Sequence, residues 1–295
     1  MILVARDRLK GASVSAASSR FTRALAAVGA AVVVAALAAC SATSSGSATS
    51  SNGLQTQTAG KLTIATGQPA YSPWVIDDKP QSGQGFEAAV AYAVAEKLGF
   101  AKKDVVWTRT TFDSAIAPGP KTFDLNIQQF TISADRKKAV DFSSPYYTTS
   151  QALVTTKSSP AASVTTVSGL KKIKIGVATA TTTLTLLKKE VGGNDISVFN
   201  SNDDAVLALK TGQVDAVATD LPTAFYLADS QVDNGVVSGQ FADTAGGDQF
   251  GIVLPKDSPN TKKVSEAVDS LRSSGELDAI TKKWLSATVN VPVFK

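Results

Sequence analysis

Short β-type runs alternate with helix-type segments along most of this chain, and no other feature limits its fold as strongly. The predicted strands cover residues 61–66, 105–108, 123–129, 153–156, 173–177, 196–199, 214–218 and 251–254. The predicted helices cover residues 85–98, 112–116, 183–191, 203–210, 222–228, 261–271 and 277–284. This alternation predicts an α/β fold with mainly parallel sheets, and the units are too few for a closed barrel. Residues 148–168 divide the pattern into two α/β blocks.

The first 40 residues have the pattern of an export signal. Basic side chains gather between residues 6 and 23, an apolar run covers 24–39, and the chain's one cysteine, Cys40, follows. The run has 16 residues, which is short for a membrane span of about 20. Residues 37–40, LAAC, resemble the lipobox of bacterial lipoproteins. We expect a lipoprotein signal peptide over 1–39 and lipidation of Cys40; an uncleaved membrane anchor and an ordinary signal with a chance cysteine are the alternatives.

The positive charge of the chain belongs to this leader. A net charge of +4 and a pI near 9.0 are typical of proteins that bind nucleic acids or anionic surfaces. Five of the 29 basic residues and one of the 25 acidic residues precede Cys40, so the remainder carries 24 of each and is formally neutral. Its basic residues cluster only in pairs such as Lys171 and Lys172. We therefore expect no nucleic-acid partner.

The segment after Cys40 is polar and uncharged. Residues 41–60 consist mainly of Ser, Thr, Gly and Ala, and such a composition cannot bury enough apolar surface to order itself. It predicts a flexible tether over residues 40–60, ahead of a folded body that begins at Lys61.

The composition also excludes several kinds of chemistry. The chain has no histidine and one cysteine, which rules out a Ser-His-Asp triad, a Cys-His dyad, a histidine-ligated metal and an internal disulfide. We expect neither a metal nor a cofactor.

The predicted body contains a series of ordered motifs. They are AYSPW at 70–74, GFE at 85–87, TISADR at 131–136, VDFSSPYY at 140–147, LKTGQVDA at 209–216 and SGE at 274–276, followed by Lys283 and Trp284. In this order they resemble the extracellular solute-binding proteins of amino-acid ABC transporters, the polar amino-acid group called family 3. The resemblance covers residues 61 to about 286, essentially the whole folded body.

The resemblance implies a two-lobed, type II periplasmic-binding-protein-like fold with two crossover strands. Lobe 1 would combine residues 61–150 with 251–295, and lobe 2 would be residues 151–250. The crossovers would lie at 148–156 and 250–255. The ligand would bind in the cleft between the lobes.

The resemblance also assigns residues of lobe 1 to the carboxylate of an amino-acid ligand. Arg136 matches the arginine that clamps it, and the planar guanidinium suits bidentate binding. From spacing alone, a solvated helical arginine is the alternative. Thr131 matches a hydroxyl donor after the predicted strand 123–129, at the strand end where open α/β sheets place ligands.

Residues of lobe 2 complete the implied site. Thr181 and Thr182 match a turn that begins a helix and holds anions, although Ala180 replaces the family's glycine. Asp220 matches the carboxylate that receives the ligand ammonium. Helix N-capping is the alternative for each of these side chains.

Four further residues are candidates for the ligand side chain. Tyr71 and Phe112 match an aromatic pair that sandwiches it, with core packing as the alternative. Gln128 and Gln129 are adjacent amides at a strand end, and buried amides need partners, so we expect at least one to contact the ligand or the cleft. The first loop, residues 66–69, lacks an acidic residue, which argues against a strongly cationic ligand. Trp74, Asp77 or Asp78 would still change that prediction.

These observations predict extracytoplasmic binding of an amino acid, or a similar small zwitterion, and its delivery to an ABC permease. We expect a monomer that is anchored by lipid to the outer face of the cell membrane. A sensing lipoprotein without a permease is one alternative. The other is a dehydratase or lyase on the same scaffold. It is disfavoured because the five glutamates of the body, Glu87 included, lie at apparently solvated helix positions. We therefore expect that the protein is not an enzyme.

Overall fold

The computed structural model describes residues 53–192, 195–242, 247–285 and 291–295, together with the backbone of 48–49. The predicted signal peptide and Cys40 lie outside these residues. In the described part of the chain, no helix is long and apolar enough to cross a membrane.

Twelve strands and eight α-helices occur in the described part of the chain. The strands are β1 (Ala48–Thr49), β2 (Gln55–Thr56), β3 (Leu62–Gly67), β4 (Val105–Thr110), β5 (Leu125–Asn126), β6 (Val140–Thr149), β7 (Gln151–Thr156), β8 (Ile175–Ala178), β9 (Ile196–Phe199), β10 (Ala216–Asp220), β11 (Gly235–Gln240) and β12 (Asp248–Pro255). The helices are α1 (Phe86–Lys97), α2 (Phe112–Ile116), α3 (Val167–Leu170), α4 (Thr182–Glu190), α5 (Asn202–Lys210), α6 (Leu221–Tyr226), α7 (Thr261–Ser273) and α8 (Glu276–Trp284).

The first five-stranded sheet has the order β4-β3-β5-β12-β6. β3 pairs in parallel with β4 and β5, while β12 pairs antiparallel with β5 and β6. One face carries Leu62 and Ile64 into a large apolar core shared with α1, α7 and α8, and Ala65 lies in a smaller core on the other face. The alternation of faces along β3 follows from the two-residue period of a strand.

The second sheet has the order β11-β7-β10-β8-β9. β8 pairs in parallel with β9 and β10, and β7 pairs antiparallel with β10 and β11. Leu153 faces one apolar core, whereas its neighbours Ala152 and Val154 face another, so this sheet is also covered on both faces.

The expectation of mainly parallel sheets is therefore wrong. Each sheet contains two parallel and two antiparallel pairings. The antiparallel pairings involve β6, β7, β11 and β12, and neither β6 nor β11 is among the predicted strands. The residues of β6 and β11 show no clear alternation of apolar and polar side chains. They are extended because they pair with strands that are distant in sequence.

The chain passes between the sheets at adjacent strands. β6 ends at Thr149 and β7 begins at Gln151, so one residue separates the two sheets there. The return path enters β12 at Asp248, which pairs with Thr149. Two chain segments thus lie side by side where the sheets meet.

The expected tether and the expected C-terminal part of lobe 1 both need correction at their ends. Leu54 is only 2% exposed, and Gln55 exchanges backbone hydrogen bonds with the side chain of Asn260, so residues 53–60 belong to the folded body. At the other end, Val293 pairs in parallel with Gln240 of β11, and Phe294 is 4% exposed in the core of the second sheet. Residues 291–295 therefore pack with the second sheet, because they satisfy its edge strand and fill its core.

Candidate functional site

A cavity of about 160 Å³ lies between the two sheets, where their parallel strands end. The first wall consists of the residues that follow β3, β4 and β5, and the second wall of the residues that follow β8, β9 and β10. The cavity thus occupies the position where open α/β sheets bind ligands. All nine sequence-predicted site residues line it: Tyr71, Phe112, Gln128, Gln129, Thr131, Arg136, Thr181, Thr182 and Asp220.

Arg136 is the cation of the first wall, and it is not a solvated helical arginine. Its Nη1 donates to the carbonyl of Thr131 at 2.8 Å, and its Nη2 crosses to the carbonyl of Ala180 at 2.9 Å. The guanidinium also lies over the ring of Phe112, 5.3 Å from its centre. Burial lowers the pKa of Arg136 to about 10, against the opposing charge of Asp248. The group stays charged at neutral pH.

Both aromatic candidates face the cavity while their rings rest on the core. Phe112 stacks on Phe130 with 4.6 Å between ring centres. Tyr71 packs against the large core of the first sheet, and burial together with the nearby charge of Asp203 raises the pKa of its hydroxyl. Core packing and cavity lining are therefore compatible for both residues.

The amide pair divides into two roles. The backbone N–H of Gln129 donates to Glu87 Oε1 at 2.7 Å, and its side-chain nitrogen donates to Glu87 Oε2. Gln128 has a buried side-chain oxygen that no described residue hydrogen-bonds. The position of Gln128 suits a contact with a bound molecule better than the position of Gln129.

Glu87 corrects the expectation that every glutamate of the body is solvated. It is 0% exposed, and the Tyr146 hydroxyl also donates to it. Burial raises its pKa to about 7, against the three hydrogen bonds, which favour the charged form. Glu87 stands behind Gln129 and does not line the cavity.

The start of α4 forms part of the second wall. Thr181 is its N-cap: the hydroxyl accepts from the N–H of Leu184 at 3.1 Å and donates to the carbonyl of Ala178 at 2.8 Å. Ala180 has φ 57°, a left-handed conformation that favours glycine and explains why the family has glycine there. Thr182 is different, since its hydroxyl turns to Asp248.

Asp220 lies at the carboxyl end of β10 and caps α6. One carboxylate oxygen accepts from the N–H of Thr223 at 3.0 Å, and the other accepts from the Thr223 hydroxyl at 2.8 Å. Burial raises its pKa to about 6, with a smaller contribution from the charge of Asp248. Asp220 therefore caps α6 and lines the cavity at the same time.

Asp248 is a charged residue beside the cavity that sequence reasoning missed. Its Oδ2 accepts from the Thr182 hydroxyl at 2.7 Å, from the Thr131 hydroxyl at 3.3 Å and from the side-chain nitrogen of Gln151. Asp248 and Gln151 begin the two strands that run away from the crossover. Their positions in or next to the predicted crossovers, at 148–156 and 250–255, could have marked both residues as neighbours of the cleft.

Trp74 and Asp78, which would have changed the ligand prediction, are occupied elsewhere. Asp78 pairs with Arg109 and accepts from the N–H of Ala70 at 2.9 Å, so it positions the loop after β3. Trp74 is 0% exposed, and its Nε1 donates to the hydroxyl of Thr223 at 2.8 Å. The charged residues among the described lining are Arg136 and Asp220.

The fold and the cavity are those of a two-lobed, type II solute-binding protein. The family model of bacterial extracellular solute-binding proteins, family 3, matches residues 62–287. The chain belongs to that family.

Individual relatives are about three tenths identical to this chain over the aligned residues. The L-cystine-binding protein of Escherichia coli strain K12 is 29% identical over 81% of this chain and 89% of its own length. The glutamine-binding protein of a Bacillus subtilis strain 168 ABC transporter is 28% identical over 70% of this chain and 75% of its own length. Among solved structures, an ancestral arginine-binding protein bound to glutamine has a TM-score of 0.66 and 31% identity, over 77% of this chain and 98% of that one.

Proposed function

We propose that this protein binds an amino acid outside the cytoplasm, in the cavity between its two sheets, and delivers it to an ABC permease. The observation that carries the proposal is the placement of opposite charges on opposite walls. Arg136 lies on the first wall, Asp220 lies on the second, and the N-terminus of α4 opens into the same cavity. A zwitterion needs such a pair, one for its carboxylate and one for its ammonium.

A ligand that contacts both walls would stabilise the closed form of the protein. A bound molecule shifts a conformational equilibrium only through its differential affinity for the two states. A carboxylate on Arg136 and Thr131 and an ammonium on Asp220 would draw the two sheets together. Periplasmic binding proteins close around their ligands by hinge motion of this kind, and the closed form would be the one that docks on the permease.

The lining favours a ligand with a neutral polar side chain. Arg136 and Asp220 would both be taken by the backbone groups of an amino acid, and the remaining polar lining is uncharged, for example Gln68, Gln128 and Asn200. Asp78 is neutralised by Arg109 and lies outside the lining. The relatives named for glutamine and cystine agree with this choice, but the ancestral structure is named for arginine and was bound to glutamine, so the choice rests on the lining.

We infer from the predicted leader that the protein is attached to the outer face of the membrane. The lipobox-like residues 37–40 would make Cys40 the lipidated first residue, and we infer a monomer that meets its permease at the membrane surface. Mass spectrometry of the membrane-extracted protein tests this directly. An acylated peptide that begins at Cys40 is expected, and a peptide from residues 1–39 in the same sample would contradict it.

Catalysis on this scaffold has less support than binding. Glu87 has the raised pKa of a possible acid, but Gln129 and Tyr146 occupy its carboxylate, and it stands behind the lining. A catalytic acid has to come within hydrogen-bond reach of the substrate.

Calorimetry of the purified protein against the twenty amino acids and L-cystine tests the proposal. We expect binding well below millimolar concentration for a neutral polar amino acid, and a loss of at least about thirtyfold in Arg136→Ala, because truncating a buried charged partner costs about 2–5 kcal/mol. Arg272→Ala is the matched control, since Arg272 pairs with Asp269 away from the cavity. Absence of any binding below millimolar concentration would show that the assignment is wrong.

A further inference from the structure

The carboxylate of Asp248 makes the same hydrogen bonds that the proposed site offers to a ligand carboxylate. Its Oδ2 accepts the hydroxyl of Thr131 from the first wall at 3.3 Å and that of Thr182 from the second wall at 2.7 Å. The two hydroxyls lie 3.2 Å apart, so one oxygen can reach both. A single carboxylate of the protein thus joins the two walls.

The neighbours of Asp248 hold this oxygen in place. The side-chain nitrogen of Gln151 donates to it, and the side-chain oxygen of Gln151 accepts from the hydroxyl of Thr183. The Gln151 amide is therefore oriented by α4, with its donor aimed at Asp248. The backbone of Asp248 is fixed as well, through its pairing with Thr149.

The charges around Asp248 act in opposite directions. Arg136 attracts it, and Asp220 repels it. A ligand that brought its own carboxylate to Arg136 would add a third negative charge to this group. The ligand carboxylate and Asp248 would then compete for one cation.

The donors also limit how many acceptors can be served. A threonine hydroxyl has one proton and donates to one acceptor at a time. If Thr131 and Thr182 donate to a ligand carboxylate, they cannot donate to Asp248. The two sets of hydrogen bonds exclude each other.

We propose that Asp248 is an internal competitor of the ligand carboxylate: it joins the walls through Thr131 and Thr182, and a ligand binds by displacing it from them. This inference rests on the proposed function for the identity of the ligand group, whereas the link between the walls rests on the contacts of Asp248 alone. Its consequence is a lower affinity than the site would otherwise have, because the apparent affinity scales with the fraction of molecules in which the donors are free.

Asp248→Asn tests the competition, since it removes the charge, keeps the size of the side chain and leaves only the weaker amide oxygen as an acceptor for the two hydroxyls. If the Asp248 bonds exist in about nine tenths of the molecules, their complete loss would raise the affinity about tenfold, so we expect this weakening to raise it severalfold. Calorimetry with L-glutamine, L-cystine and L-arginine measures this, with Asp141→Asn as the matched control. Asp141 also accepts a threonine hydroxyl, that of Thr261 at 3.0 Å, but its partners lie on the first-sheet side. Weaker binding in Asp248→Asn would overturn the proposal, since it would mean that Asp248 contacts the ligand itself.

Small-angle X-ray scattering without added amino acid tests the link between the walls independently of any ligand. The protein is unfolded and refolded first, which removes solute retained from the cell. We expect a larger radius of gyration for Asp248→Asn and for Thr182→Val than for the unaltered protein and Asp141→Asn. An unchanged radius in both variants would overturn the link. If no amino acid binds to any form, the proposed function fails, while the scattering result still decides the role of Asp248. Circular dichroism confirms that each variant is folded.

Discussion

The side chains of the two cavity walls are held in place by different kinds of contact. On the first wall, the ring of Phe112 stacks on Phe130, Arg136 lies over Phe112, and the amide of Gln129 is fixed by the buried Glu87. On the second wall, Thr181 and Asp220 are N-caps at the starts of α4 and α6. The first wall depends on packing between residues distant in sequence, and the second depends on local hydrogen bonds.

This difference suits the two walls to different parts of ligand binding. Side chains held by a packed core keep their positions, which suits a fixed cation and an aromatic surface. Helix starts offer N–H groups and hydroxyls whose hydrogen bonds can be exchanged for those of a ligand. The first wall is therefore suited to orienting a molecule, and the second to closing upon it.

Glu87, which fixes the first wall through Gln129, should make the stability of the protein depend strongly on pH. Its folded pKa of about 7 exceeds the ordinary value of 4.5, so the folded state binds the proton more tightly than the unfolded state. Its contribution to stability is full below pH 4.5 and is lost as the pH rises to about 7, by about 3 kcal/mol. Urea unfolding at several pH values measures this, and Glu87→Gln should lack the decline. An unchanged slope in that variant would show that Glu87 is not the group responsible.

Asp220, on the second wall, should also lower the free energy of unfolding as the pH rises. Its effect should be smaller than that of Glu87 and should occur at lower pH. Burial raises its pKa from 3.8 to about 6, so its contribution declines between those values. Because its side chain is only partly buried, we expect about 2 kcal/mol. The difference between Asp220→Asn and the unaltered protein across pH 4–6 measures it. A decline of the same size across pH 4–6 in Asp220→Asn would show that another group is responsible.

Phe112→Leu probes the aromatic part of the first wall. The substitution keeps an apolar side chain but removes the ring that stacks on Phe130 and faces Arg136. We expect amino-acid affinity to fall about tenfold, since the ring lines the proposed site and positions Arg136, and an aromatic contact of this kind contributes about 1–2 kcal/mol. Calorimetry measures the change. Phe241→Leu, at a ring pair in the core of the second sheet, is the control that should leave affinity unchanged.

Thr181→Ala gives the smallest expected effect and isolates capping on the second wall. Loss of the hydroxyl that accepts from Leu184 should lower the free energy of unfolding by about 1 kcal/mol. Affinity should change less than about threefold, because the Thr182 hydroxyl remains. A loss of affinity as large as that of Phe112→Leu would mean that Thr181 contacts the ligand directly.

Most of the elements were accessible from the sequence because their signals are local, whereas most of the cavity-lining candidates came from the resemblance of the motifs to family 3. The segment 112–116 begins after Thr111, whose hydroxyl accepts from Ser114, and the predicted helix coincides with α2. Similarly, the predicted strand 196–199 coincides with β9. The motif residues Thr131 and Arg136 lie five positions apart, close enough for one loop to bring them to one place.

The amino-acid sequence was enough to find the alternation of strands and helices, the resemblance to the family and the formal neutrality of residues 40–295. Folding was needed to show that Glu87 is buried beneath Tyr146, 59 positions away, and that Asp248 receives the hydroxyl of Thr182, 66 positions away. It also decided that Phe294 packs with the second sheet. Propensity and periodicity report the neighbours of a residue along the chain. Burial and hydrogen-bond partners depend on residues that become neighbours only after the chain has folded.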